Sequence, residues 1–110
     1  MALWNKNIDI TKNIRVIEWL KSELLTDVAT LFKSLINGSK EDMHDLASET
    51  LSNIILISYI LGRRLGIDYN ALEIKINNKI RLGIIEKHDV ERNYNDLSDL
   101  ANHMNIYRDK

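Results

Sequence analysis

The sequence contains no proline, no cysteine and only four glycines among its 110 residues. Proline and glycine interrupt helices, so their scarcity favours long helices over a fold rich in turns and strands. The absence of cysteine excludes disulfide bonds, a thiolate nucleophile and cysteine-based zinc sites, and it is compatible with a reducing compartment.

Aromatic residues are also few, at 6%, so a buried core must consist mainly of leucine, isoleucine and valine. The formal net charge of -1 provides no basic surface, and we expect no nucleic-acid partner. The N-terminal segment lacks the features of a signal peptide, and the apolar run Leu51–Leu61 is too short to span a bilayer. We therefore expect one soluble cytoplasmic domain over residues 1–110, without membrane contact.

The most apolar part of the chain is Met43–Gly66, where leucine and isoleucine dominate between Leu51 and Leu61. A surface helix has one apolar stripe, whereas a helix that is apolar nearly all round is buried on several sides. We expect other helices, from this chain or from a second copy, to surround this segment.

The spacing of apolar residues predicts an all-α fold. Leucine, isoleucine and valine recur at gaps of three or four from Ile17 to Leu35, which is the period of a helix. We expect a first helix over Thr11–Asn37, preceded by a loose arm at residues 1–9, and a second helix from Ser39 to Gly66. Because only a few residues connect them, these helices should form an antiparallel hairpin.

Local signals predict two or three further helices. Asp68 is a suitable N-cap for a third helix that ends at Gly83 and buries Tyr69, Leu72, Ile76 and Ile80. A short helix is expected within residues 86–95. Asp96 should cap a final helix from Leu97 to about Tyr107. The expected core is a four-helix bundle that a second subunit completes, in a homodimer or homotetramer.

Acidic residues repeat at helical spacing on both arms of the hairpin. Glu23 and Asp27 are four apart on the first helix, and Asp45, Glu49 and Asn53 follow the same spacing on the second. Residues four apart share a face, so antiparallel packing could bring the pairs Glu23–Asp27 and Asp45–Glu49 together as oxygen ligands of Mg²⁺. The alternative is that these side chains are solvated at the margins of the two helices.

Cations cluster near the end of the third helix, at Lys75, Lys79 and Arg81. Lysine and arginine pair with phosphate oxygens, so these residues are candidates for phosphate contact. The alternative is a solvated face that complements the negative end of the helix dipole. No glycine-rich phosphate loop and no defensible serine–histidine–aspartate spacing is present, so no catalytic residue is assigned.

Two segments carry a resemblance to a known family. Residues 53–68, NIILISYILGRRLGID, and residues 75–81, KINNKIR, resemble the MazG-like proteins of the all-α nucleoside triphosphate pyrophosphohydrolase superfamily. The likeness extends from about Ile14 to Arg81, and the last thirty residues resemble a short subgroup. The resemblance implies Mg²⁺-dependent hydrolysis of a nucleoside triphosphate to the monophosphate and pyrophosphate. It also implies that the cationic third helix meets phosphates.

The acidic motifs of that family are incomplete in this chain. The family pattern ExxE falls on residues 23–26, where only Glu23 is acidic and Asp27 lies one place later. The pattern ExxD falls on residues 50–53, with Glu49 one place early and Asn53 in place of the aspartate. Asparagine supplies one carbonyl oxygen without charge. Two hypotheses therefore stand. The first is a Mg²⁺-dependent pyrophosphohydrolase, whose metal the resemblance would assign to Glu23, Asp27, Glu49 and Asn53. The second is a catalytically inactive oligomer that binds a nucleotide or a protein partner.

Overall fold

The computed structural model describes residues 3–36, 40–87 and 89–105, with side chains from Ile10 onward. These ranges contain the helices α1 Leu3–Ile36, α2 Lys40–Arg64, α3 Tyr69–Ile85, α4 Asp89–Tyr94 and α5 Asp96–His103. They contain no strand, so the predicted all-α class is confirmed. The chain divides into two compact units, Met1–Asp68 and Tyr69–Lys110.

The first unit is the predicted antiparallel hairpin of α1 and α2. Leu20 of α1 is only 2% exposed, and Ile57 of α2 is also buried. The side-chain amide of Asn13 donates a hydrogen bond of 2.8 Å to the carbonyl oxygen of Arg64. This bond joins the early part of α1 to the last residue of α2 and thereby fixes the register of the hairpin.

Helix α1 begins at Leu3 rather than at Thr11, so the expectation of a loose arm is wrong for residues 3–9. No proline or glycine lies between Leu3 and Ile36, and a helix continues where nothing interrupts it. Thr11, the predicted first residue, therefore lies inside the helix. The predicted start at Ser39 lies outside the described residues.

Polar side chains inside the hairpin form hydrogen bonds within their own helices. The hydroxyl of Ser34 donates to the carbonyl of Leu31 at 2.7 Å, and that of buried Thr50 donates to the carbonyl of Leu46 at 2.8 Å. The hydroxyl of Ser58 donates to Ile54 in the same manner. Burial of the Ser34 and Thr50 hydroxyls therefore leaves no donor unpaired. Ser58 is exposed, and α2 continues past it without a break.

The C-terminus of α2 follows the sequence prediction. Gly66 adopts a φ of 93°, in the left-handed region. The backbone N–H of Ile67 donates to the carbonyl of Gly62 at 2.8 Å, and the N–H of Gly66 donates to Arg63 at 3.1 Å. This pattern is a Schellman motif, which satisfies carbonyl groups that the helix itself leaves unpaired.

The second unit contains α3, α4 and α5, with contacts of α5 to both other helices. Ile80 of α3 and Ala101 of α5 are its buried apolar residues among those described, at 4% and 0% exposure. Leu72 and Ile76 are half-buried as part of the predicted row, whereas Tyr69 is exposed, which corrects its assignment to the core.

Helix α3 passes through Gly83 and ends at Ile85, so the predicted end at Gly83 is wrong. The backbone N–H of Glu86 still donates to the carbonyl of Leu82 at 2.9 Å, which continues the helical pattern past the glycine. The left-handed residue that follows the helix is Lys87, with a φ of 54°. A glycine inside a helix costs only about 1 kcal/mol, which the neighbouring packing offsets.

The N-terminus of α5 is capped by a side chain of the preceding helix, α4. Asn95 occupies the N-cap position in a left-handed conformation without a side-chain cap bond, so Asp96 is not the cap. Instead, the buried carboxylate of Glu91 on α4 accepts hydrogen bonds from the backbone N–H of Ser98, at 2.9 Å, and from the Ser98 hydroxyl. This carboxylate joins α4 to α5.

The hydrogen bond from the Ser98 hydroxyl is the main reason that the pKa of Glu91 lies below its ordinary value. Burial opposes the shift. The backbone N–H groups of Ser98 and Leu97, and the charge of Lys87, lower the pKa further. Glu91 is therefore ionised in the folded protein at neutral pH.

Much of the apolar surface of the hairpin is not covered within the single chain. Thr50, Ile57 and Gly62 are the buried residues of α2, while Leu51 and Ile55 are exposed. The expectation that several helices surround α2 is thus not met by α1 alone. Among the described residues, no helix has the length and apolarity required to cross a membrane.

Candidate functional site

The register of the hairpin determines the height of each predicted metal ligand, that is, its position along the hairpin axis. From the bond between Asn13 and Arg64, about ten residues along α1 lead to Glu23, and about ten residues back along α2 lead to Ile54. Glu23 therefore lies at the height of Asn53 and Ile54. Asp27 lies one turn further along α1, at the height of Glu49 and Thr50.

The same residues lie at one edge of the contact between the helices. Glu23, Asp27 and Asn53 are half-buried, whereas Glu49 is exposed. Successive residues of a helix are rotated by about 100° when the helix is viewed from its own N-terminus. Viewed in this way, Glu23 is rotated from the buried Leu20 in the same sense as Asn53 is rotated from the buried Ile57. In an antiparallel pair, such rows share one edge. We call the edge with Glu23, Asp27, Glu49 and Asn53 the acidic edge.

The other edge of the hairpin is apolar. On α1 and α2 the opposite side of the contact carries large exposed side chains: Ile14, Leu25, Phe32, Ile36, Leu51 and Ile55. We call these six residues the apolar edge. The hairpin thus carries its oxygen donors along one edge and these six apolar side chains along the other, where the ion pair of Glu18 and Lys21 lies between Ile14 and Leu25.

The acidic edge is not a complete metal cage. Among the described residues, no three histidine, aspartate or glutamate side chains are grouped so as to hold a metal ion. In addition, the position at which the family pattern begins on α2 holds Thr50, whose buried hydroxyl donates to the carbonyls of Leu46 and Ala47. The carboxylates of Glu23 and Asp27 and the amide of Asn53 are the donors that this edge offers, and a cation such as Mg²⁺ would need water and phosphate oxygens to complete its shell there.

The predicted phosphate ligands lie in the second unit. Lys75, Lys79 and Arg81 are exposed on α3, and at 100° per residue Lys79 and Arg81 lie on opposite flanks of the buried Ile80. The amide oxygen of Asn77 on the same helix is buried without a hydrogen-bond partner among the described residues. The basic character predicted for this helix is thus present at its surface.

A shallow cleft in the second unit is lined by Ile84, Lys87, Glu91, Arg92 and Asn95. The guanidinium of Arg92 donates to the carbonyl of Lys87 at 3.0 Å and pairs with Asp89 at 3.3 Å. Glu91 is bound to Ser98. The charged groups of this cleft therefore serve the packing of α4 and α5.

One residue near the acidic edge escaped the sequence analysis. Trp19 precedes Glu23 by four residues, so the two side chains are neighbours on α1. Its side chain is 61% exposed. Its four-residue spacing from Glu23 is the signal in the sequence, but the pattern of acidic residues does not itself indicate an aromatic neighbour.

These features define an all-α protein whose antiparallel helices carry oxygen donors along one edge. Residues 10–97 match the model of the MazG-like family. The match includes α1 from Ile10 onward, α2 and α3. The chain belongs to the MazG-like family, as its resemblance implied. Neither a curated protein nor a solved structure gave a match.

Proposed function

We propose that this protein is a Mg²⁺-dependent nucleoside triphosphate pyrophosphohydrolase, whose site is the acidic edge of the hairpin. The observation that carries the proposal is the position of Glu23, Asp27 and Asn53, half-buried at neighbouring heights on facing helices. Partial burial holds these oxygen donors in defined positions and leaves them accessible from the edge. Membership of the MazG-like family supports this reaction class.

The reaction adds water to the α-phosphorus of the nucleotide, breaks its bond to the bridging oxygen, and releases the monophosphate and pyrophosphate. Mg²⁺ would neutralise phosphate charge and lower the pKa of a bound water. Glu23 and Asp27 would supply the carboxylates that hold the cation, and Asn53 would supply a carbonyl oxygen to orient water or metal. Lys75, Lys79 and Arg81 of α3 stay predicted as phosphate ligands from their sequence pattern alone.

The site contains few carboxylates, so we expect Mg²⁺ alone to bind weakly and to bind together with the triphosphate. Calorimetric titration with Mg²⁺ should give little heat without nucleotide and clear binding when the nucleotide is present. Equal Mg²⁺ affinity with and without nucleotide would contradict a metal shell that includes phosphate oxygens.

The decisive experiment measures pyrophosphate release from a panel of canonical and modified nucleoside triphosphates with Mg²⁺. We expect release from at least one substrate, and a loss of about a hundredfold or more in Glu23→Gln, since this change removes a metal-binding charge. Glu18→Gln is the matched control, because Glu18 is exposed on α1 and pairs with Lys21 at 3.0 Å. Equal loss in both variants, or none in Glu23→Gln, would contradict the assignment.

The second candidate is a catalytically inactive oligomer that binds a nucleotide or a protein partner. The buried Thr50 and the neutral Asn53 favour it, because both stand where the family pattern has acids. Asn53→Asp restores a charge at the half-buried position. If the protein is an enzyme, this variant should reach half-maximal activity at a lower Mg²⁺ concentration. Absence of pyrophosphate release from every substrate, in wild type and in Asn53→Asp, would favour the inactive oligomer.

We also propose that a second copy of the chain packs against the apolar edge and completes a four-helix bundle. Leu25 is 73% exposed there, and the edge extends over about 33 Å from Ile14 to Ile36. A stable dimer requires roughly 800 Å² of buried surface from each partner, which an edge of this length can supply. Packing on this edge leaves the acidic edge open to substrate.

A further inference from the structure

We infer that Trp19 and Leu56 form the binding surface for the nucleobase of the nucleotide, one helical turn from the acids. The inference rests on the proposed nucleotide site and adds to it the part of the substrate that lies beyond the phosphates. It follows from the exposure of these two side chains and from their rows on the hairpin.

Both residues extend the acidic edge. Trp19 precedes Glu23 by four residues on α1, and Leu56 follows Asn53 by three on α2. Residues three or four apart are neighbours on a helix surface. Because the helices are antiparallel, the step back along α1 and the step forward along α2 lead towards the same end of the hairpin, where Asn13 contacts Arg64.

Their exposure leaves an apolar surface beside a charged one. Trp19 is 61% exposed and Leu56 is 58% exposed. One helical turn is about 5.4 Å, which is comparable to the separation of the α-phosphate from the base in a nucleotide. With its triphosphate at Glu23 and Asp27, a nucleotide pointing towards this end of the hairpin places its base over the indole.

An indole face also suits the chemistry of a nucleobase. Bases stack on aromatic side chains with little dependence on base identity, and each stack contributes enough to change affinity roughly tenfold. Leu56 offers an apolar contact without a hydrogen-bond donor or acceptor. This surface should therefore raise affinity for all bases and leave their discrimination to other groups.

The test compares nucleotides with a ligand that has no base. We expect Trp19→Leu to raise KM for the preferred nucleoside triphosphate about tenfold with little change in kcat, and Trp19→Phe to raise it less. The inhibition constant of inorganic tripolyphosphate should not change. Tyr94→Leu is the control, because it removes an aromatic side chain that is similarly exposed, on α4 of the second unit.

Binding is measured in parallel by calorimetry with a non-hydrolysable α,β-methylene triphosphate, so that a failure of the enzymatic proposal is recognised separately. Weaker binding to Trp19→Leu in a protein without activity would support the base surface and contradict the enzyme. The inference is overturned by any of three results: equal nucleotide affinity in wild type and Trp19→Leu, parallel weakening of tripolyphosphate, or a changed sedimentation coefficient of the variant, which would place Trp19 in a subunit contact.

Discussion

At the scale of single residues, Glu91 shows how one side chain can replace a missing local signal. Asn95 precedes α5 without a side-chain cap bond, and the carboxylate of Glu91 reaches the backbone of Ser98 from another helix. A carboxylate at this position also complements the positive end of the α5 dipole. The second unit therefore gains order at α5 from a charge on α4.

The pH dependence of stability should report this contact. The pKa of Glu91 is lowered by the Ser98 hydroxyl, so its contribution to stability is fully present above the ordinary carboxyl pKa and is lost as pH falls through the lower folded value. We expect Glu91→Gln to lower Tm at about pH 7 and the difference from wild type to shrink as the pH falls below the ordinary carboxyl pKa and through the lower folded value.

Amide hydrogen exchange provides the local measurement for the same contact. Exchange at Ser98 should accelerate in Glu91→Gln at neutral pH, while exchange in α2 should not change. A constant difference in Tm over the whole pH range would mean that the charge of Glu91 does not stabilise the joint between α4 and α5.

At the scale of elements, the ends of helices depend on backbone conformations that particular residues tolerate. Gly66 ends α2 with a φ of 93°, and a Cβ added there would meet no atom within 4 Å. Any effect of substitution therefore arises from the backbone conformation of the residue and not from collision with neighbours.

Gly66→Ala should destabilise the protein by about 1 kcal/mol, because a Cβ disfavours the left-handed region. Gly66→Asn is the matched variant, since asparagine tolerates this region better, and it should cost less. Urea denaturation of the three proteins measures the differences. Equal stability of all three would show that the turn after α2 adopts another conformation in solution.

Elements also show how far the sequence permits prediction. The end of α2 was predictable because the signal, Arg63, Arg64 and Gly66, is local. The start of α1 and the end of α3 were not, because nothing at residues 3–9 marks a boundary and Gly83 resembles a terminus while lying inside a helix. The cap of α5 depends on Glu91, which only the packed structure brings to Ser98.

The candidate site was predictable to a similar degree. Helical spacing placed Glu23 and Asp27 on one face, and the short connection to α2 implied that Asn53 would lie near them. The sequence did not reveal the half-burial of these side chains or the separation of the two edges, because both depend on which faces of α1 and α2 meet.

At the scale of the whole molecule, the uncovered apolar edge makes assembly the next question. Six large apolar side chains along two helices remain exposed in the single chain. Apolar surface removed from water stabilises association by roughly 25 cal/mol per Å² before the costs of ordering. A second copy of the hairpin presents the same surface and is therefore a suitable partner.

Leu25→Asp should convert the protein to a monomer in sedimentation velocity at micromolar concentration, because a charge at the centre of the contact would lose its hydration. Thr26→Asp introduces the same charge at an exposed position of α1 on the side of Glu23, outside the apolar edge, and this variant should remain associated. A monomeric wild-type protein, or dissociation of both variants to the same extent, would contradict pairing through this edge.

The opposite placement of the two edges has a consequence for stoichiometry. If two hairpins pack through their apolar edges, the two acidic edges lie on opposite sides of the dimer and face solvent. Each dimer would then bind two nucleotides, one per chain. Nucleotide binding should follow a simple hyperbola unless dimerisation changes the conformation of each site.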